Sequence, residues 1–550
     1  MSARATAPVI LAVLALPLLG PAPARAQEPP SASLDLAPSG GLAPPGYRRS
    51  AAEVLATADA EARVRHERAS HPRSYLRAYL LRPGRWQVAL YAPPAEPGER
   101  SEEIARVIVD DRTGRVLQVW TGQQVTWRMA RGLPGAFGRA VNSPWIWIAL
   151  CVAFVAPFAR LPLRMLHLDL AVLLAFSVSY AFFGAADIDV SVPSAYPLLV
   201  YLLARVLWVA FRRPETAAFR LLLPDGALLF GLAAGLAFRV ALNVVNGNVI
   251  DVGYAGVVGA DHLLEGERVY GGFPADVAHG DTYGPVVYAA YVPWNLIWPW
   301  TGTWDDLPAA HAAAVAFDLA CVAGLWLAGR RLRGPAFGLL LAYLWVTFPF
   351  TLLVANSGAN DALVGALVLA AFLCAGRPIA RGALAVIAGL SKFAPLALVP
   401  LFVTAGRGPI QSAIAAIGAG ILVMAPVAFG DGLDRFADRT LGFQGERDSP
   451  FSIWGLYDLP GWLQTAATVA VALFAVAVAF VPSRRDDITV AALAAAVLIA
   501  VQLTVMHWFY LYLVWFLPLL LIALITPAVA AAPARSPSPG RRSRSAPGPR

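Results

Sequence analysis

From Pro144 to about residue 526, apolar runs of about 15 to 23 residues follow one another, each close to the length a helix needs to cross a hydrocarbon core roughly 30 Å thick. No other feature limits the fold so strongly. Across the 550 residues, 58% are hydrophobic and 14% charged, whereas soluble domains carry roughly 25% charged residues. The main body is therefore expected to be an all-α polytopic membrane protein. The formal charge of +8 would suggest nucleic acid in a soluble chain, but here the arginines cluster beside apolar spans and near the C-terminus, so they signal topology and no nucleic-acid partner is expected. Cys151, Cys321 and Cys374 all fall within apolar segments, which supports neither a disulfide framework nor a thiolate metal cluster.

Ahead of the spans, Arg4, an apolar run and Ala24-Arg25-Ala26 lead us to expect a secretory signal peptide over residues 1–26, either cleaved before Gln27 or kept as an uncleaved anchor. Residues 27–46, rich in Pro, Ala, Ser and Gly, are expected to be a disordered linker. A small extracytoplasmic α+β domain is expected over 47–130. It comprises a helix from Ala51 to Arg68, a hairpin turning at Pro83-Gly84, and a second hairpin turning between Asp110 and Gly114. The DDRTGRVLQVW stretch resembles the repeat of PepSY-type extracytoplasmic domains, which implies binding or regulation.

Lys and Arg orient the spans. Three additional spans occupy 143–220, and Arg160, Arg164, Arg212 and Arg213 place their basic ends in the cytoplasm. A fourth span, 221–243, then exits. The segment 283–300 is apolar, but the next span, 307–328, ends in Arg330-Arg331-Leu332-Arg333 and must finish inside, so 283–300 is expected to lie at the interface. Spans follow at 335–354 and 361–376. The stretch 382–405 begins and ends beside arginines, which makes it a re-entrant hairpin with Ser391-Lys392-Phe393-Ala394-Pro395 at its tip. Spans at 409–429, 461–481, 487–505 and 509–526 complete about eleven, with a disordered basic tail at 529–550 in the cytoplasm. The expected location is the plasma (inner) membrane.

This topology leaves the polar segment from Asn243 to Asp306 outside the cytoplasm. Asp251, Tyr254, Val258, Asp261 and Glu265 recur there at helical spacing, and Gly266 can cap the helix. Asp251 is singled out because a carboxylate just past a span end meets substrate at the lipid boundary, where partial desolvation raises its basicity. Lys392 is a cation within an apolar stretch and must pair, snorkel or bind an anion. Arg239 and His507 share the choice between anchoring and phosphate contact, and Asp281 and Tyr283 form a candidate binding turn. Asp318 suits a buried structural role. The acidic pair Asp187 and Asp189 is too common a pattern to define a metal site, and none is assigned.

From the fourth span onward, over residues 221–528, the chain resembles GT-C membrane glycosyltransferases, especially the family 87, α-mannosyltransferase-like group that uses polyprenyl-phosphate sugars. The residues that carry the resemblance are Asp251, Tyr254, Leu263-Leu264-Glu265-Gly266, Tyr270 and Tyr283-Gly284-Pro285, followed by Asn356-Ser357-Gly358-Ala359-Asn360, Leu390-Ser391-Lys392-Phe393-Ala394-Pro395 and His507-Trp508-Phe509-Tyr510. Gly253 departs from the bulky residue often found near the Asp. The resemblance implies an inverting transfer from a polyprenyl-phosphate-linked sugar donor to a glycan, lipid or protein acceptor. Asp251 would be the general base, and Lys392, Arg239 and His507 would offset the phosphate charge. Tyr254, Asp261, Glu265, Tyr270, Asp281, Tyr283, Asn356 and Asn360 would bind substrate. No cofactor is implied, since the lipid-phosphate sugar is itself a substrate, and the metal requirement is left open. The rival classes are a lipid-linked glycan transporter or sensor and an inactive membrane scaffold. The transporter would be expected to show paired broken helices, and the sequence has a single break at Lys392.

Overall fold

Ser50 starts the first helix in the way its sequence allows. Its hydroxyl accepts from the Glu53 amide while the Glu53 carboxylate accepts from the Ser50 amide, a reciprocal cap on α1 (Ala51–Asp59). The computed structural model describes residues 35–38, 41–82, 84–94, 101–132, 138–212 and 219–529. The expected signal peptide, ten of the linker residues, Pro83 and the tail beyond residue 529 lie outside the described residues.

The single helix expected over 51–68 is divided. Glu61 is extended, and α2 (Ala62–Ser70) begins after it, which lets Val64 join Val54 and Ala58 in one core. Five strands, β1 (Asp35–Leu36), β2 (Tyr75–Arg82), β3 (Arg85–Ala92), β4 (Glu102–Asp110) and β5 (Val116–Thr121), form an antiparallel meander in sequence order. Both expected hairpins are present, β2 with β3 and β4 with β5. Trp86 is fully buried under the helices, and its Nε1 donates to the Asp111 carboxylate, which also accepts from the amides of Arg48 and Arg49. One turn residue thereby ties the hairpins to the chain entering α1.

The membrane body follows as α3 (Pro144–Val155), α4 (Met165–Gly184), α5 (Ile188–Phe211), α6 (Asp225–Asn246), α7 (Asp251–Glu265), α8 (Pro285–Asn295), α9 (Pro308–Arg333), α10 (Pro335–Thr347), α11 (Pro349–Asn356) and α12 (Asp361–Leu373). It ends with α13 (Pro378–Lys392), α14 (Val399–Thr404), α15 (Pro409–Gly430), α16 (Gly461–Ala477), α17 (Asp487–Gln502) and α18 (Leu513–Ala528). Among the described residues, six helices are long and apolar enough to cross a membrane, or up to seven if a bent pair counts as one span. A helix stands at each of the eleven expected positions, although α3, α12, α16 and α17 are shorter apolar helices. The chain is membrane-embedded: α6 and α15 turn Phe230, Val245, Ile414, Ile421 and Leu422 outward, which water would not tolerate in such number, while α18 is packed inside the bundle.

Two local details shape the site. The expected span 335–354 is bent by 62° between α10 and α11, because Pro349 supplies no amide to the preceding helix and excludes helical geometry at Phe348. The stretch 382–405 doubles back: Arg381 at the start of α13 donates to the carbonyls of Val403 and Arg407, so both arms return to one end. Phe393, at φ 55°, makes the reversal. In the segment expected at the interface, α8 has 11 residues and rises about 16 Å, short of the hydrocarbon thickness.

Candidate active site

Asp251 is the first residue of α7, and its position is set by the turn between α11 and α12. The amides of Asn248 and Ile250 donate to the carbonyls of Asn356 and Ser357 at 3.0 and 3.1 Å, and Asn360 Nδ2 donates to the carbonyl of Val252 at 3.0 Å. A side chain at Gly253 would overlap the carbonyl oxygen of Gly358. The departure from a bulky residue at this position thus has a steric cause: the turn comes in contact with the helix backbone itself.

The Asp251 carboxylate accepts from the amide of Val252 at 2.9 Å. Its side chain is exposed, yet desolvation is the largest influence on it and raises its pKa. The two observations fit a carboxylate on the wall of a recess, reachable by solvent but surrounded by protein. The Val252 amide, Arg447 and Lys392 oppose that rise, and Asp361 adds to it. Helix N-termini also favour the ionised form. Burial likewise pushes the Tyr283 phenol well above its usual range, with the Asp251 charge as the next cause.

Lys392 closes α13 at the tip of the hairpin. Its Nζ lies 2.8 Å from Asp361 Oδ1, an oxygen that also accepts from Trp515 Nε1 at 2.9 Å. The ammonium sits 5.1, 5.7 and 5.9 Å from the ring centres of Tyr283, Trp515 and Tyr512. The cation marked in the sequence as an anomaly therefore has a buried counter-ion in the residue following Asn360. His507 adds a third side: its Nδ1 is 2.8 Å from Ser449 Oγ, and its ring packs against Phe451 and Tyr512. Burial, then Arg447 and Lys392, depress its pKa well below the usual 6.5, so the ring is held as neutral imidazole.

Asp251, Tyr283, Lys392 and His507 are thus brought together, along with two residues the sequence reading did not single out. Asp361 directly follows the quoted Asn356-Ser357-Gly358-Ala359-Asn360 turn and could have been found as a carboxylate for Lys392. Arg447 lies in a loop with no periodicity to flag it. The other expected site residues have structural partners. Arg239 does not reach out to a phosphate: it is buried, binds Asp318 Oδ1 and Oδ2 at 2.6 and 2.9 Å, and donates to the Val346 carbonyl and Thr351. Asp281 is buried against Arg439 at 2.6 Å and accepts from the Gly271 amide. Tyr254 stacks on Trp304 and donates to Asp276, while Tyr270 donates to the carbonyl of Tyr283. Asn356 Nδ2 donates to the carbonyls of Gly138 and Asn246. Asp261 and Glu265 lie ten and fourteen residues along α7, about 15 and 21 Å from its start. They share its helical spacing with Asp251 but not the recess.

A cleft of about 690 Å³ lined by Leu327, Arg330, Arg331, Leu373, Cys374, Gly376 and Arg377 lies at the opposite ends of α9 and α12 from this cluster. The polar convergence around Asp251, and not cavity size, identifies the candidate site.

Among family models, the match spans residues 282–507, which include Tyr283, Asn356, Asn360, Asp361, Lys392, Arg447 and His507 and begin after Asp251. No curated protein and no solved structure matches the chain. The matching model is Glycosyltransferase family 87, and it supports glycosyltransferase activity for this membrane-embedded chain.

Proposed function

We infer that the chain transfers a sugar from a polyprenyl-phosphate-linked donor to an extracytoplasmic acceptor with inversion, and that Asp251 is the general base. The observation that carries this reading is a solvent-reachable carboxylate whose basicity desolvation raises, Asp251, within electrostatic reach of Arg447, Lys392 and Tyr283, with His507 facing the same two cations. Desolvation makes Asp251 a better proton acceptor than a surface carboxylate, which suits removal of a proton from an acceptor hydroxyl as it attacks the anomeric carbon. The carbon–oxygen bond to the phosphate breaks as the new glycosidic bond forms, and the electron pair leaves with the phosphate oxygen. A phosphate is a stable anion, so the reaction needs no second carboxylic acid to protonate the leaving group. It does need positive charge nearby, for which Arg447 and Lys392 are the candidates. Neutral His507 can donate or accept a hydrogen bond there but adds no charge.

Asp361 modifies the role of Lys392. With a carboxylate 2.8 Å away, Lys392 presents part of an ion pair, and Arg447 becomes the stronger candidate for the phosphate. Asp251 lies outside the residues that match the family, so its role rests on position and electrostatics. A transfer assay in membranes with polyprenyl-phosphate sugar tests it. Asp251→Asn is expected to lose about 10²- to 10⁴-fold in rate with the protein still folded, and turnover equal to the parent would overturn the assignment.

A further inference from the structure

The segment between the extracytoplasmic domain and the first membrane helix is bonded to the chain just before α7. Gly138 N donates to Asn248 Oδ1 at 3.1 Å, Arg139 Nη1 to the Gly247 carbonyl at 2.9 Å, and Ala140 N to Asn246 Oδ1 at 2.9 Å. These bonds fasten the stem to the loop that leads directly into Asp251. Earlier in the same stem, Trp127 packs beside Arg447 and His507. Its ring centre lies 5.8 Å from Arg447 Cζ, 6.1 Å from the His507 ring and 5.7 Å from Phe451. The whole stem precedes the stretch that matches the glycosyltransferase family.

Arg447 depends on such a support. The ion pairs among the described residues do not include it. Its guanidinium is instead within cation–π reach of two rings, Trp127 at 5.8 Å and Phe443 at 5.7 Å. A long side chain without a carboxylate partner would otherwise sample many rotamers, and each would remove its charge from the recess. Aromatic faces hold arginine while leaving its in-plane N–H groups free, the groups that bind phosphate oxygens.

We propose that Trp127 is a positioning residue that holds Arg447 against the donor phosphate, so that the stem of the extracytoplasmic domain forms part of the donor site. This rests on the polyprenyl-phosphate reading given above. It makes the domain more than an appended module: any ligand or partner that displaces the stem would change donor affinity.

The test uses the full-length protein in nanodiscs, with donor and acceptor KM measured separately and polyprenyl phosphate lacking a sugar titrated as a binding probe. Trp127→Ala is expected to raise donor KM and weaken polyprenyl phosphate binding by about 3- to 30-fold and to lower kcat as well, because the charge it positions also offsets the leaving phosphate, with acceptor KM close to the parent value. Trp127→Phe should recover most of the loss. In combination with Arg447→Ala, Trp127→Ala should add little, because the residue it positions is already gone. A parent-like donor KM in Trp127→Ala, or effects of the two substitutions that multiply, would overturn the proposal. Trp127→Leu, which keeps bulk and removes the π face, substitutes for the alanine variant if that one does not fold. If the parent protein neither uses the donor nor binds polyprenyl phosphate, the donor reading and this inference both fail. If it does both and Trp127→Leu matches it, only the positioning role fails.

Discussion

Lys392 and Asp361 form a buried ion pair, Nζ to Oδ1 at 2.8 Å, with side chains 6% and 1% exposed. Lys392 ends α13 at the hairpin tip and Asp361 begins α12, so the pair fastens that tip beside the turn that orients Asp251. Removing one charge leaves the other uncompensated. Asp361→Asn is expected to destabilise the protein by about 3–5 kcal/mol, measured as loss of folded protein in thermal or denaturant titration. Lys392→Met with Asp361→Leu should recover much of that stability, because replacing both partners by apolar groups removes the desolvation cost along with the attraction.

Arg239 and Asp318 form a second buried pair, at 2.6 Å, supported by the Val346 carbonyl, Thr351 and Trp345 Nε1. If its role is structural, Arg239→Met will lower stability by about 3–5 kcal/mol and leave donor KM of the folded fraction unchanged. A selective rise in donor KM without lost stability would return Arg239 to the phosphate site.

Gly253 faces the Gly358 carbonyl, with Val249 Cγ1 2.9 Å from where a Cβ would stand. Gly253→Ala must push α7 away from the turn at a cost of about 1–3 kcal/mol. Because a displacement of about 1 Å can reduce rate some 10²-fold, turnover should fall more than stability does. The two are compared by assaying the purified folded protein.

His507 sets one pH dependence. Its folded-state pKa is depressed well below 6.5, chiefly by burial, so below that value the unfolded chain binds the proton more readily than the folded one. Stability is then fully present above about pH 6.5 and is lost as pH falls, by up to about 1.4 kcal/mol per unit for this one group. His507→Gln should flatten that part of the profile relative to the parent, as read from thermal midpoints between pH 8 and pH 5. An unchanged difference between the two across this range would contradict the neutral, buried ring.

Asp251 sets another. Its pKa is raised by desolvation, and a carboxylate acting as general base must be ionised, so if Asp251 is the base, turnover should fall with decreasing pH at a value above the ordinary carboxylate range near 3.9. Asp251→Glu, with its longer side chain, should keep an acid limb at reduced rate, whereas Asp251→Asn should lack one. A rate–pH profile on donor-saturated enzyme checks both.

Local sequence carried the elements well where one signal dominated. The helical periodicity from Ala51 gave the start of α1, Gly266 in the left-handed conformation ends α7, and the arginines flanking 382–405 anticipated a chain that doubles back. Pro349 was equally visible, but its effect was not, because whether a proline kinks a span or divides it into two helices depends on what packs around the bend. The site was partly legible for the same reason. Asp251 and Lys392 stood out as charges beside or within apolar runs, which is a local property, whereas their partners are chosen by tertiary contact.

Hydrophobicity, charge placement and turn chemistry act over a few residues to a few turns, so the sequence by itself determined a membrane-embedded helical body, a small α+β domain before it and the candidate carboxylate. Tertiary structure decided which charges neutralise each other. It buried Arg239 on Asp318 and Asp281 on Arg439, gave Lys392 a counter-ion in Asp361, and left Arg447 on the rings of Trp127 and Phe443. The reason is physical: an ionic contact between residues tens or hundreds of positions apart depends on distance and desolvation in space, and neither is encoded by spacing along the chain.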